Sequence, residues 1–133
     1  IDVDVAPVRV GYVMGSGDRV PEGLRLRTIG SGGESLGSDL LDWGKQTLGA
    51  DINELYGQTE CNMIVSTCTA LAPAQPGIMG KAVPGHRVDV INPDTGTILP
   101  EGVEGAIAVR APDPVMFLRY WNNPKGQNDT THQ

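Results

Sequence analysis

Apolar and polar side chains alternate through Leu24-Arg25-Leu26-Arg27-Thr28-Ile29, a period-two pattern that predicts a strand with one buried face. The next positions, Gly30-Ser31-Gly32-Gly33, lack bulk and can take backbone angles closed to other residues, so a loop is expected there. Leu36, Leu40, Trp43 and Thr47 or Leu48 then recur at helical spacing, with Trp43 read as a packing residue. Ser35 or Ser38 can cap the start of that helix, and Gly49 stands just past its end. Asp39 near the start and Lys45 near the end both suit the helix dipole. Asp51 to Leu55 returns to a strand. Strand, helix and strand in this order predict two neighbouring parallel strands joined by a right-handed crossover.

Met63-Ile64-Val65-Ser66-Thr67 reads as a further buried strand, and a Pro/Gly-rich connector follows from Ala72 to Gly85. Within it Gly77-Ile78-Met79-Gly80-Lys81 is not followed by the Gly-Lys-Ser/Thr and helix of a phosphate loop. Lys81 is therefore expected to be solvated or structural. Arg87 to Asn92 alternates, turns through Pro93-Asp94-Thr95-Gly96 and returns through Thr97 to Leu99, a hairpin. Pro100-Glu101-Gly102 makes a second turn before a strand from Ala106 to Arg110. Met116, Phe117, Leu118, Tyr120 and Trp121 form an apolar cluster expected to pack on these hairpins. His86 is read as structural or exposed, and the polar residues after Pro124, His132 among them, as a frayed end. Ala6 to Met14 stays open between a helix begun at Pro7 and a strand favoured by Val8, Val10 and Val13. The fold class is α/β: a strand-helix-strand parallel piece (residues 1–70), antiparallel β-hairpins (71–124) and a tail (125–133).

At 133 residues the chain has the length of one domain with a core. It begins on Ile1, not Met, so a processed or excised piece is expected rather than a whole translated protein. Acidic residues outnumber basic ones 16 to 10, a net charge of −6 that argues against nucleic acid or anionic membrane as a general partner. No apolar run approaches the roughly 20 residues of a membrane span. Cys61 and Cys68 lack metal-ligand spacing and read as free thiols of a reducing, cytoplasmic protein.

Chemistry concentrates between Asp51 and Asn62. The strand there breaks after Tyr56 into small and polar residues, and open α/β sheets bind ligands beyond the carboxyl ends of their strands. Tyr56 can stack on a base, Thr59 can reach a phosphate, and Glu60 can hold a hard divalent cation. The plain alternatives are a core tyrosine at a strand end for Tyr56 and, for Glu60 taken alone, a solvated loop carboxylate.

As an ordered string, Tyr56-Gly57-Gln58-Thr59-Glu60 resembles the adenine- and phosphate-binding motif of the acyl-adenylate-forming enzymes. These include acyl-CoA synthetases, luciferase and peptide-synthetase adenylation domains. Ile29-Gly30-Ser31-Gly32-Gly33-Glu34-Ser35-Leu36 is similar to the family's glycine-rich adenine loop. Gly80-Lys81-Ala82-Val83-Pro84-Gly85, Gly105-Ala106-Ile107-Ala108-Val109-Arg110 and Tyr120-Trp121-Asn122-Asn123-Pro124 resemble its later signatures. The likeness runs from Leu24 to Pro124 and is nearest to acetyl- and medium-chain acyl-CoA synthetases. Ala106 and Arg119 depart from it, standing where members commonly have Glu or Gln, and Gly.

The resemblance implies an AMP-forming acid–thiol ligase of fatty acid metabolism, whose substrates are a short- or medium-chain carboxylic acid, ATP and CoA. Gly33, Glu34 and Ser35 would line the adenine, and Glu54, Leu55 and Tyr56 would form its wall. Gly57 would leave room for the ligand, Gln58 would belong to the nucleotide-binding set, and Thr59 would donate its hydroxyl to the α-phosphate. Glu60 would ligate Mg²⁺, and Cys61 to Met63 would approach the acyl group. Thr59 and Glu60 carry the catalytic roles. The hairpin portion would belong to a distorted barrel, with Arg110 pairing a barrel carboxylate. The family's lysine-bearing pyrophosphate loop is missing, and its ribose-binding Thr-Gly-Asp would fall beyond Gln133. The expectation is a fragment of the large N-terminal domain that needs the remainder of the synthetase to turn over. An aryl or amino acid adenylating enzyme, and a nucleotide-binding module without catalysis, are the alternatives.

Overall fold

A computed structural model describes residues 3–4, 23 and 25–123. The segment from Ala6 to Met14 and the tail after Pro124 lie outside the described residues. The chain forms two compact units: the described parts of Ile1–Gly57 with Met63–Val83, and of Gln58–Asn62 with Pro84–Gln133.

The first unit holds a five-stranded sheet in the order β1-β2-β3-β4-β5. Its strands are β1 (Val3–Asp4), β2 (Ile29–Gly32), β3 (Ile52–Tyr56), β4 (Val65–Ser66) and β5 (Lys81–Ala82). β1, β2 and β3 are parallel, while β4 and β5 run antiparallel to their neighbours. The crossover from β2 to β3 carries helix α1 (Ser38–Trp43), which continues as a π-helical stretch over Gly44–Leu48. The expected parallel β-α-β piece is present.

One boundary differs. The strand expected over Leu24–Ile29 starts only at Ile29, and residues 29–32, expected as a loop, are β2 itself. Glycine is a poor strand former in isolation, but β2 is laddered on both sides, and that pairing outweighs propensity. Small residues also permit the close fit: a Cβ on Gly32 would stand 3.0 Å from the Leu55 carbonyl oxygen. Ile29 and Ser31 are fully buried between the neighbouring strands and the crossover.

The crossover covers the sheet with apolar side chains. Ile29, Leu36, Ala50 and Ile52 form the buried core, with Leu40, Leu41, Trp43 and Leu48 packed on it. Burying each large aliphatic side chain there is worth about 1.5–3 kcal/mol. The serines do not cap: Gly37 takes the N-cap position without a side-chain bond, and the Ser38 hydroxyl donates to Asp39 at 3.4 Å. Gly49 ends the element in the left-handed region, as its position predicts. Lys45 pairs with Asp51 at 2.9 Å on the surface.

The expected strand over Met63–Thr67 shortens to β4, with Ile64 and Val65 buried and Met63 exposed. The connector after it contributes β5, and Lys81 there is exposed. Gly80, at φ +97°, passes so close to β4 that a Cβ would fall 2.1 Å from the Ser66 carbonyl oxygen.

In the second unit β6 (Val88–Ile91) pairs antiparallel with β7 (Ala106–Val109), Val88 opposite Val109 and Ile91 opposite Ala106. The hairpin expected from Arg87 to Leu99 forms as a short one: Ile91 bridges Ile98, the Asn92 amide donates to the Thr97 carbonyl at 2.9 Å and the Leu99 amide to the Val90 carbonyl at 2.8 Å. Its turn is well bonded, the Asn92 side chain accepting from the Asp94 and Thr95 amides. The cluster at 116–121 does not pack as a block. Phe117 and Tyr120 meet edge to face at 4.7 Å, whereas Leu118 and Trp121 are 91% and 87% exposed. Bonding of 115–117 to 60–62 fixes which side chains turn inward, and these two turn out. Arg110, expected to pair a carboxylate, is exposed and makes no ion pair among the described residues.

Candidate functional site

In the first unit, β2 and β3 are parallel and in register, with Gly32 beside Leu55. Gly33-Glu34-Ser35 and Tyr56-Gly57 therefore leave the sheet at the same, carboxyl edge of two adjacent strands. That edge is where open α/β sheets place ligands. Gly33, Glu34, Ser35 and Gly57 are exposed, and Leu55 and Tyr56 are half-buried.

Glu54 is built in differently. Its side chain is buried, and the carboxylate accepts a hydrogen bond from the Leu36 amide at 3.4 Å, tying the start of the crossover to β3. The Glu54 amide donates to the Thr67 hydroxyl at 2.7 Å, and the Thr67 amide returns a bond to the Glu54 carbonyl at 3.0 Å. Asn53, beside it, donates to Thr28 at 2.7 Å and accepts from the Thr69 amide at 2.8 Å. This polar lattice was not foreseen, because Asn53 in β3 and Thr28, Thr67 and Thr69 outside the strands carry no distinctive sequence signal. The Ser31 hydroxyl, fully buried, has no hydrogen-bond partner among the described residues. A cleft of about 300 Å³ lined by Leu41, Lys45, Asp51 and Thr69, among others, contains none of the expected site residues.

In the second unit the rest of the motif forms a tight turn. The Gln58 amide donates to the Cys61 carbonyl at 2.8 Å, and the Cys61 amide donates to the Gln58 carbonyl at 3.2 Å. Thr59 and Glu60 sit at its tip, Thr59 exposed and Glu60 half-buried. The Tyr120 hydroxyl donates to Glu60 Oε1. That bond, and then Glu60's own amide, hold the carboxyl below the usual glutamate range, with burial pulling weakly the other way. Glu60 forms no ion pair among the described residues.

Behind the turn, Cys61 is buried and pairs with Met116. Burial, with Asp113 nearby, pushes its thiol up, so it is a poor nucleophile. His86 Nδ1 and Asp113 Oδ2 meet at 2.7 Å, both nearly inaccessible, and Asp113 also accepts from the Val115 amide at 3.0 Å. The His86 bond, ahead of the amide, lowers the Asp113 carboxyl against an opposing burial effect. His86 is thus structural. Both thiols are free, Cys68 being exposed.

No three acidic, histidine or cysteine side chains cluster to cage a metal among the described residues. A lone ionised carboxylate at a turn tip still fits magnesium, which commonly binds through one or two carboxylates plus substrate phosphates and waters.

A parallel β-α-β unit whose adjacent strands end on Gly32 and Tyr56, with a glycine turn leaving their carboxyl edge, defines an open α/β fold in the first unit. Comparison with known proteins gives the family. The profile described as AMP-binding enzyme matches residues 13–121, and the chain belongs to that family. It is 36% identical over 100 residues to an uncharacterised acyl-CoA ligase, YtcI, of Bacillus subtilis, covering 75% of this chain and 18% of that protein. It is 38% identical over 109 residues to the mitochondrial acyl-coenzyme A synthetase ACSM4 of Mus musculus, covering 80% of this chain and 18% of that protein. Among solved structures, an anthranilate CoA ligase, AuaEII, in complex with anthranoyl-AMP superposes with a TM-score of 0.67 at 29% identity, covering 77% of this chain and 19% of that one. The chain thus spans about a fifth of the length of the relatives it matches.

Proposed function

We infer that this chain is part of an AMP-forming acyl-CoA synthetase that activates a short- or medium-chain fatty acid. The observation that carries this reading is the turn at Gln58–Cys61, which sets a hydroxyl and an ionised carboxylate at its tip directly after a strand that ends on Tyr56. Gly33, Glu34 and Ser35 line the adenine, with Tyr56 against the base and Gly57 leaving it room. The hydroxyl of Thr59 donates to the α-phosphate. Glu60 holds the magnesium ion, which when bound neutralises phosphate charge.

The overall reaction balances in two displacements. A substrate carboxylate oxygen attacks the α-phosphorus of ATP, the new O–P bond forms and pyrophosphate leaves. The sulfur of CoA, its thiol proton released to solvent, then attacks the acyl carbon of the adenylate, a C–S bond forms and AMP leaves with the C–O electron pair. Such transfers need positioning and charge stabilisation more than covalent help, and this chain's exposed loops and turn suit that task.

The chain alone does not supply a whole active site on this reading, and the synthetase acts in the cytoplasm. Pyrophosphate release, assayed with acetate and longer acids, tests it. The 133-residue chain is expected to be inactive and the full-length ligase active on straight-chain acids. The similarity to an anthranilate CoA ligase favours a second reading, activation of an aryl acid. Turnover of benzoate-type acids without turnover of fatty acids would select it. Absence of any turnover by the full-length protein, with AMP still bound, would leave a nucleotide-binding module.

A further inference from the structure

Within the second unit, segment 115–120 lies against the Gln58–Asn62 turn. The Phe117 amide donates to the Glu60 carbonyl at 2.7 Å, Cys61 pairs with Met116, and the Asn62 amide donates to the Val115 carbonyl at 3.5 Å. Those backbone contacts hold the segment against the turn without help from Tyr120. The Tyr120 phenol adds something else: it reaches past the backbone and donates to the Glu60 carboxylate. Its ring is braced edge to face by Phe117, at 4.7 Å and 63°, so the donor is itself held in place.

We propose that Tyr120 is a positioning residue for Glu60: its hydroxyl fixes the carboxylate in the orientation that receives the divalent cation. The inference rests on the reading of Glu60 as the magnesium ligand. A carboxylate offers two oxygens and about four lone-pair sites, so accepting from a phenol at Oε1 leaves capacity for a metal. Without the phenol a glutamate at a turn tip samples several rotamers, and ordering it on metal binding costs affinity. Outer-shell partners of metal-ligating carboxylates act in this way, and removing one typically costs 10- to 100-fold in metal affinity.

The test uses the full-length ligase containing this chain and Mn²⁺ as the probe, its binding followed by electron paramagnetic resonance with a non-hydrolysable ATP analogue. Four proteins are compared: unsubstituted, Glu60→Gln, Tyr120→Phe and the double variant. Tyr120→Phe keeps the ring and its contact with Phe117. It is expected to weaken Mn²⁺ binding about tenfold. The Mg²⁺ concentration for half-maximal pyrophosphate release should rise in parallel, with kcat largely regained at saturating Mg²⁺. The double variant should bind Mn²⁺ no more weakly than Glu60→Gln. Tyr120→His, which retains a ring and a donor, should lie between Tyr120 and Phe, and it carries the comparison should Phe not fold. If Glu60→Gln weakens Mn²⁺ binding while Tyr120→Phe does not, the positioning role is overturned and the metal reading stands. Additive losses in the double variant overturn it too, since Tyr120 would then act on something other than Glu60. If neither substitution alters Mn²⁺ binding, the metal reading of Glu60 fails and the positioning role goes with it.

Discussion

Glu54 and Glu60 are the same side chain put to opposite uses. Glu54 is buried and spends its carboxylate on the Leu36 amide, whereas Glu60 stands at a turn tip. Replacing Glu54 with Ala removes a buried acceptor, and about 1–3 kcal/mol of stability should go with it. Glu54→Gln keeps an acceptor and should lose less, as thermal denaturation of the two variants will show. Acid should act on a third carboxylate, Asp113. Its folded pKa is lowered, so the stability it contributes is fully present above the ordinary aspartate value of about 3.9 and is lost as pH falls through the lower folded value. Asp113→Asn should therefore flatten the acid limb of a stability–pH curve below about pH 4; an unchanged limb would refute that assignment. At this scale the sequence showed residue types but not partners. Tyr56 to Glu60 were legible because their order is distinctive. Tyr120 was read as packing because nothing local connects it to a residue sixty positions away.

Strands and crossover were readable where pattern and pairing agreed. The body of the helix and its end at Gly49 follow from helical spacing and a glycine stop, and β3 from the apolar Ile52 and Leu55, whereas the helix start at Ser38 behind Gly37 was not marked by the serines. β2 was misplaced because its letters say loop while its two neighbours impose a ladder, a long-range effect that local propensity cannot carry. Two substitutions test the elements. Ile52→Ala empties a side chain that is 1% exposed, and should cost about 2–4 kcal/mol in chemical denaturation. Gly80→Ala meets a left-handed backbone and the Ser66 carbonyl at once. It should destabilise by about 2–4 kcal/mol or separate β5 from β4, which amide exchange at Val65 to Ala82 would report.

For the molecule as a whole, family membership was legible because five short motifs occur in order, whereas the division into two units was not. The second unit takes residues 58–62 out of the middle of the first, and no composition shift marks those borders. The central claim concerns nucleotide, so the decisive measurement is a titration of the isotope-labelled chain with AMP and then Mg·ATP, followed by amide chemical shifts. Shifts concentrated in Gly32 to Ser35 and Glu54 to Glu60, with weak saturable affinity, are the predicted result. A folded chain whose amides in those segments stay unmoved at millimolar nucleotide would contradict it.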